Sequence, residues 1–277
     1  MARITRRTLL AAAPVLASAA PAPTGVTQFV RYLRGSEPTH GIVEGDLIRR
    51  ITGDLFGSFK TTKETVKFST QKLLYPVQPS KVLAVGLNYK SHIGTRTPPV
   101  NPEIFYKPIT CLQHPGADIV IPKDSKNTHY EGELVIVIGK HIRNASAADA
   151  KDAIFGVTCG NDVSERDWQN GAQKDLQWWR AKGADTFGPL GPGIVRGLDY
   201  ANLDLSTKLN GKVVQHSNTS DLLFDCPTIV SFISRYVTLL PGDLIYTGTP
   251  GSTQRMSPGD TVEVEISGIG TLFNRVV

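Results

Sequence analysis

Cysteine is scarce. The 277 residues hold three, Cys111, Cys159 and Cys226, and none stands in a C-x-x-C spacing. Three cannot all pair, so a disulfide framework and a zinc ribbon are excluded, and they read as buried small hydrophobes. No apolar run approaches the roughly 20 residues that cross a bilayer. No G-x-G-x-x-G or P-loop occurs, nor the strand–helix alternation of a nucleotide-binding fold. The charge surplus is small: Lys and Arg total 30 against 25 Asp and Glu, a formal +5. Arg3, Arg6 and Arg7 supply three of those charges within residues 1–25, and the first acid is Glu37. The remaining charge is mixed, without a basic block or interleaved arginines and aromatics, which speaks against a nucleic-acid partner.

What is present begins with a leader. Arg6-Arg7 precede the apolar run Thr8–Leu16 and the small residues Ala17-Ser18-Ala19. A positive start, a short apolar stretch and a small-residue cleavage site describe a signal peptide, here of twin-arginine type. Residues 1–25 are therefore read as a targeting segment for export to the periplasm. A mitochondrial presequence and an uncleaved leader on a cytoplasmic protein are the rivals. The mature chain has no membrane segment.

Beyond it, Thr27–Leu33 and Leu47–Ile51 are β-like, with a hairpin turn at Glu44-Gly45-Asp46. They form a small antiparallel unit. Residues 59–80 are polar, end in Pro76 and Pro79, and read as a linker. Val82–Val85 is a short buried strand, and 93–101, with Pro98 and Pro99, a loop. Tyr130–Ile138 is the strongest strand. Ser146 and Asp149 have capping-box spacing for a helix near 147–155, stopped by Gly156. Val157–Cys159 is a strand, and Ser164 caps a helix towards Ala172. Asn210-Gly211 suits a type I′ turn between Leu205–Leu209 and Lys212–Gln215. Asp225 and Pro227 open a helix to about Leu239, with Ile229, Ile233, Tyr236 and Val237 on one face. Leu244–Thr247 and Thr261–Ile266 are the last two β runs. The sum is an α+β, mostly β chain.

Glu131 and Glu133 stand two apart, so a strand places both carboxylates on one face, about 6.5 Å apart. They lead into the apolar LVIVIG. Like charges at the start of a buried strand repel and lose hydration. A hard divalent cation, Mg²⁺, Mn²⁺ or Ca²⁺, removes both penalties, and Asp162 after the next β run supplies a third carboxylate. A solvated strand edge is the competing reading. Lys182, near such a site, can stabilise an enolate or oxyanion; otherwise it is a surface lysine. His92 is either a general base under a lid or a plain loop histidine.

Eight stretches resemble, in order, the fumarylacetoacetate hydrolase family: VGLNYKSH (85–92), PEIFYKP (102–108), HYEGELVIVIGK (129–140), NDVSERDWQ (161–169), KGADTFGPLGP (182–192), NGKVVQHSNTSDLLFD (210–225), LLPGDLIYTGTPGS (239–252) and GDTVEVEISGIGTLFN (259–274). The resemblance implies a mixed β-roll and a homodimer, with a small N-terminal domain over 26–75 and a catalytic domain over 76–277. It implies Mg²⁺ or Mn²⁺ on Glu131, Glu133 and Asp162. Arg166 and Gln169 would face the substrate, Lys182 would stabilise negative charge, Thr249 would hold a carboxylate or oxo group, and Thr186 would lie close to the metal. The implied substrates are small 2-oxo or 1,3-diketo acids, and hydrolysis of an acylpyruvate-like C–C bond leads the expectations. Isomerisation of a hydroxymuconate-type diacid and decarboxylation of an oxaloacetate-like acid are the alternatives, and a non-catalytic oxo-acid binder is the third. The chain departs from the hydrolytic pattern at one place. Three residues after His92, where those members carry a glutamate, it has Thr95. Glu103 belongs to the next strand.

Overall fold

The computed structural model describes residues 25–172 and 174–277, so the leader lies outside the described residues. Strands β1 (Thr27–Arg34), β2 (Glu37–Glu44), β3 (Leu47–Gly53) and β4 (Phe59–Lys67) form an antiparallel meander. The Glu44-Gly45-Asp46 turn joins β2 to β3 as expected, with Gly45 at φ 63°. The linker expectation for 59–80 is corrected. Phe59–Lys67 is a strand, although Lys60, Thr61, Lys63, Thr65 and Lys67 are exposed. It is a sheet edge, where lysines blunt further pairing and threonine keeps β preference. Its polarity made it look like a loop. A short β5 (Leu73–Leu74) then pairs with β1.

The second part opens with β6 (Val82–Gly86), the one-turn α1 (Lys90–Ile93) and β7 (Glu103–Lys107). Short strands β8 (Leu112–Gln113), β9 (Asp118–Ile119) and β10 (Thr128–His129) lead to β11 (Gly132–Ile138). Next come α2 (Ala147–Ala153), β12 (Ile154–Asn161), β13 (Ser164–Glu165), α3 (Arg166–Asn170), α4 (Trp179–Gly183) and β14 (Gly188–Arg196). The chain closes with β15 (Asp204–Leu209), β16 (Lys212–Asn218), α5 (Cys226–Tyr236), β17 (Leu244–Tyr246), β18 (Thr261–Ile266) and β19 (Gly270–Val276). Among the described residues the main sheet has twelve strands, in the order β4-β3-β2-β1-β14-β12-β11-β17-β6-β7, with β5 on β1 and β8 on β14. A five-stranded sheet, β16-β15-β18-β19-β9, and the pair β10-β13 complete the sheets. The fold is sheet-rich α+β, and no described helix is long and apolar enough to cross a membrane.

β11 runs through the middle of this architecture with every residue buried. Leu134, Ile136 and Ile138 enter a core with Ile229 and Ile233 of α5 and Val264 and Ile266 of β18. Val135 and Val137 enter the opposite core with Ala84, Leu190 and Tyr246. Burial on both faces is what an unbroken Val/Ile/Leu run encodes. The three cysteines are unpaired and buried, as expected.

The capping box forms: Ser146 Oγ accepts from Asp149 N–H, but α2 ends at Ala153 and the chain enters β12 directly. The Asn210-Gly211 turn has both residues at positive φ, 52° and 76°, as type I′ requires. Asp225 caps α5, yet the helix stops at Tyr236, which packs on Phe232 and is exposed instead of joining the apolar face. Ser164 does not cap α3. Its hydroxyl donates to the Asp162 carbonyl, and the buried Glu165 carboxylate caps the helix by accepting from Trp168 N–H at 2.7 Å. The helix ends at Asn170, before Ala172.

Asn88, fully buried between β6 and α1, ties three segments together. Its amide donates to the carbonyls of Thr247 (2.8 Å) and Phe224 (3.1 Å) and its oxygen accepts from Phe224 N–H (2.8 Å). Asn88→Ala leaves those backbone groups unpaired and is expected to cost about 3 kcal/mol in urea denaturation. A change below about 0.5 kcal/mol would show that the three bonds do not hold the β6–α1 turn.

Candidate active site

The site is assembled by strand register. β11 and β12 pair antiparallel with Gly132 opposite Asn161, which brings the residues that flank the pair, Glu131 and Asp162, side by side. Asp162 N–H donates to the Glu131 carbonyl, and Glu131 N–H to Asn161 Oδ1. Glu131 and Glu133 share the β11 face of Val135 and Val137. All three carboxylates are buried, at 3%, 1% and 1% exposure, with one oxygen of each within 4.8 Å of the others. Gly132, between the two glutamates, leaves no room for a Cβ against Thr207 of β15.

Three cations surround the carboxylates. Lys182, buried in the last turn of α4, donates to Glu131 Oε2 (2.5 Å) and Asp162 Oδ2 (2.6 Å). Lys107, at the end of β7, donates to Asp162 Oδ1 (2.6 Å) and to the carbonyls of Phe187 and Lys182. Arg166, opening α3, donates to Glu131 Oε1 (2.6 Å), Gln169 Oε1 (2.7 Å) and Thr253 Oγ1 (2.7 Å). Burial alone would raise the Glu131 carboxyl, but Lys182 and Arg166 overcome it and hold the group well below the ordinary range. Glu133 is different. Among the described residues it accepts only from Gly248 N–H (2.7 Å) and makes no ion pair, so burial, then Asp162 and Glu131, outweigh the more distant Lys182 and push its carboxyl well above the usual value.

Two adjoining cavities meet here. The inner, about 30 Å³, is lined by the three carboxylates, Lys182, Thr249 and Phe105. The outer, about 270 Å³, is lined by Arg96, Arg166, Asn170 and Thr253, and Leu87, His92, Gln169 and Trp178 border both. The inner space exceeds the roughly 10–15 Å³ that admits one water. An all-oxygen donor set, an ion-sized space and a buried carboxylate without a cation fit a hard divalent ion on Glu131, Glu133 and Asp162.

The sequence-read residues converge, with one exception. Glu131, Glu133, Asp162, Lys182, His92, Arg166, Gln169 and Thr249 line the cavities. The Thr249 hydroxyl donates to the Gly132 carbonyl and accepts from Gln215. His92 Nδ1 lies 2.6 Å from the Gly251 carbonyl. Thr186 is elsewhere: its hydroxyl accepts from Val120 N–H at 2.8 Å, and it lines neither cavity.

Sequence reasoning missed Lys107, Thr253, Gln215 and His129. Strand alternation puts Lys107 on the face of Phe105, which lines the inner cavity, but no sequence signal marks that face as part of the site. His129 Nε2 donates to Asn127 Oδ1, and its Nδ1 accepts from the Thr253 hydroxyl that Arg166 also contacts. Burial, then Arg166, push His129 down to about 4, so it stays neutral and buttresses Arg166.

The Glu133 charge gives a signed expectation. Its raised carboxyl keeps a proton longer in the folded chain than in the unfolded one, so metal-free protein loses stability as pH rises above about 4.5. Mn²⁺ should therefore raise the melting temperature more at pH 8 than at pH 5. Glu133→Gln should stabilise the metal-free protein at pH 8 and abolish the Mn²⁺ effect. An undiminished Mn²⁺ shift in that variant would contradict the assignment.

Residues 81–277 match the family model of the fumarylacetoacetate (FAA) hydrolase C-terminal domain, and 27–76 match a domain described as Rv2993c-like, N-terminal. The chain is 47% identical over 234 residues to protein Rv2993c of Mycobacterium tuberculosis, covering 83% of this chain and 87% of that protein. It is 40% identical over 268 residues to the mitochondrial oxaloacetate tautomerase of Bos taurus, covering 92% and 81%. The crystal structure of 2-hydroxyhepta-2,4-diene-1,7-dioate isomerase from Mycobacterium marinum superposes with a TM-score of 0.84 at 43% identity, covering 91% and 98%. With the acidic cluster set at the register-defined end of β11, these matches establish that the chain belongs to the fumarylacetoacetate hydrolase family and is an enzyme of that family.

Proposed function

We propose that the chain is a divalent-metal-dependent enzyme that interconverts the keto and enol forms of a small 2-oxo acid by proton transfer at the carbon beside the oxo group. The observation that carries this reading is the His92 ring. A carbonyl only accepts, so Nδ1 must donate to Gly251, which leaves Nε2 as the ring nitrogen available to exchange a proton with a ligand in the cavities that His92 lines. A base held in that tautomer fits proton abstraction. A cation on Glu131, Glu133 and Asp162 would supply Lewis acidity toward the 2-oxo group. Lys182, beside Glu131 and Asp162, offsets negative charge that develops on the substrate oxygen. Leu87, Phe105 and Trp178 wall the site and limit water. The named tautomerase and isomerase relatives support the same class of proton transfer.

C–C hydrolysis asks more of the site, because a water must be both held and activated. The ring of His92 is oriented by a backbone carbonyl, Thr95 is exposed in a turn, and Glu103 opens β7. Among the described residues no carboxylate hydrogen-bonds the His92 ring, which favours enolate chemistry over water activation. For location, the mitochondrial bovine relative supports a mitochondrial presequence in residues 1–25 over the export reading.

The test is an ultraviolet assay of enol-oxaloacetate and of an acylpyruvate, with Mg²⁺ or Mn²⁺ and with chelator. The expected result is chelator-sensitive loss of enol absorbance without carbon dioxide release. His92→Ala should lower kcat about 10²- to 10⁴-fold with little change in KM. Metal-dependent formation of pyruvate and an acid from the acylpyruvate would instead identify a hydrolase, and carbon dioxide a decarboxylase.

A further inference from the structure

The outer cavity holds a cation that the reading above does not use. Arg96 follows α1, which carries His92, and its guanidinium is anchored to that turn. Nε donates to the Ile93 carbonyl (3.1 Å) and Nη2 to the His92 carbonyl (3.3 Å). Among the described residues it makes no ion pair, and Nη1 has no partner. Arg166, on the same cavity, differs: it is already committed to Glu131, Gln169 and Thr253.

Formal charge points the same way. The three inner carboxylates are equalled in number by Lys107, Lys182 and Arg166, although these pair only with Glu131 and Asp162. A divalent ion would then leave two positive charges, and Arg96 adds a third on the outer wall. A 2-oxo acid whose carboxylate and oxo group met an ion in the inner cavity from its mouth would extend outward past His92. The cation it meets there with an open donor is Arg96. The volume, about 270 Å³, lies just below the usual range of about 300–1,000 Å³ for ligand pockets, which suits a short chain.

We propose that Arg96 binds the distal carboxylate of the substrate and so selects 2-oxo diacids over 2-oxo monoacids. This rests on the reading of the site as one for 2-oxo acids. A guanidinium fixed at two of its nitrogens and open at the third presents a preorganised donor to a carboxylate. Its tether to the His92 carbonyl also links occupation of the outer cavity to the turn that holds the base.

The experiment is titration calorimetry on the Mn²⁺-loaded full chain with two unreactive probes. N-oxalylglycine carries both carboxylates, and oxamate lacks the distal one. Wild type should bind N-oxalylglycine at least tenfold more tightly than oxamate. Arg96→Gln should weaken N-oxalylglycine at least tenfold and oxamate less than twofold, and Arg96→Lys should recover part of the loss. Equal weakening of both probes would assign Arg96 to holding the α1 turn alone and overturn the proposal, as would no weakening of either or no wild-type preference for the diacid. If both probes behave as expected but no 2-oxo acid turns over, Arg96 stands and the catalytic reading falls. If neither probe binds wild type, both fall.

Discussion

Three carboxylates buried within 4.8 Å of one another are the constraint on which the rest of this structure depends. Like charges in a low-dielectric interior repel strongly, and lost hydration adds to the cost. Lys182 and Arg166 answer for Glu131, and Lys107 and Lys182 for Asp162. Among the described residues Glu133 makes no ion pair and accepts one backbone N–H. That imbalance makes the cluster chemically specific. A site meant only to be stable would be better built of apolar residues, whereas one carboxylate left without a counter-charge favours a cation from solution.

The surrounding structure exists to keep that cluster rigid. β11, with apolar cores on both faces, cannot shift by one residue without exchanging Leu134, Ile136 and Ile138 with Val135 and Val137, and with them the glutamates. Two buried carboxylates outside the cluster fix the elements around it. Glu165 accepts from Asn127 and Trp168 and fixes the start of α3, hence Arg166. Asp243 accepts from Ser80, Lys81 and Leu240 where β6 and β17 begin their parallel pairing. Gly248, at φ 102° and with no room for a Cβ beside Asn88, lets the turn after β17 approach close enough to bond Glu133.

Much of this was legible in the sequence, because the signals were periodic or stereochemically strict. Glu131 and Glu133 two apart ahead of an apolar run, Asn210-Gly211 between β runs, and Asp225 with Pro227 each specify local geometry, and all appear as read. The misses share a physical cause. β4 is polar because it is an edge, Tyr236 lies in a last turn that its core does not cover, and α3 is capped by a buried glutamate, a residue type that composition places outside. Lys107 was hidden for a similar reason, since its burial depends on partners 55 and 75 residues away. Thr186 followed from the resemblance alone, and local packing on Val120 places it away from the cavities.

The most direct measurement is a crystal structure of the Mn²⁺-soaked protein with anomalous data. The account requires one strong peak bounded by Glu131, Glu133 and Asp162. Lys182 should have left its bridge between Glu131 and Asp162, its ammonium now free to face a substrate oxygen. Lys182 still spanning those carboxylates, with no peak beside Glu133 at saturating Mn²⁺, would contradict it.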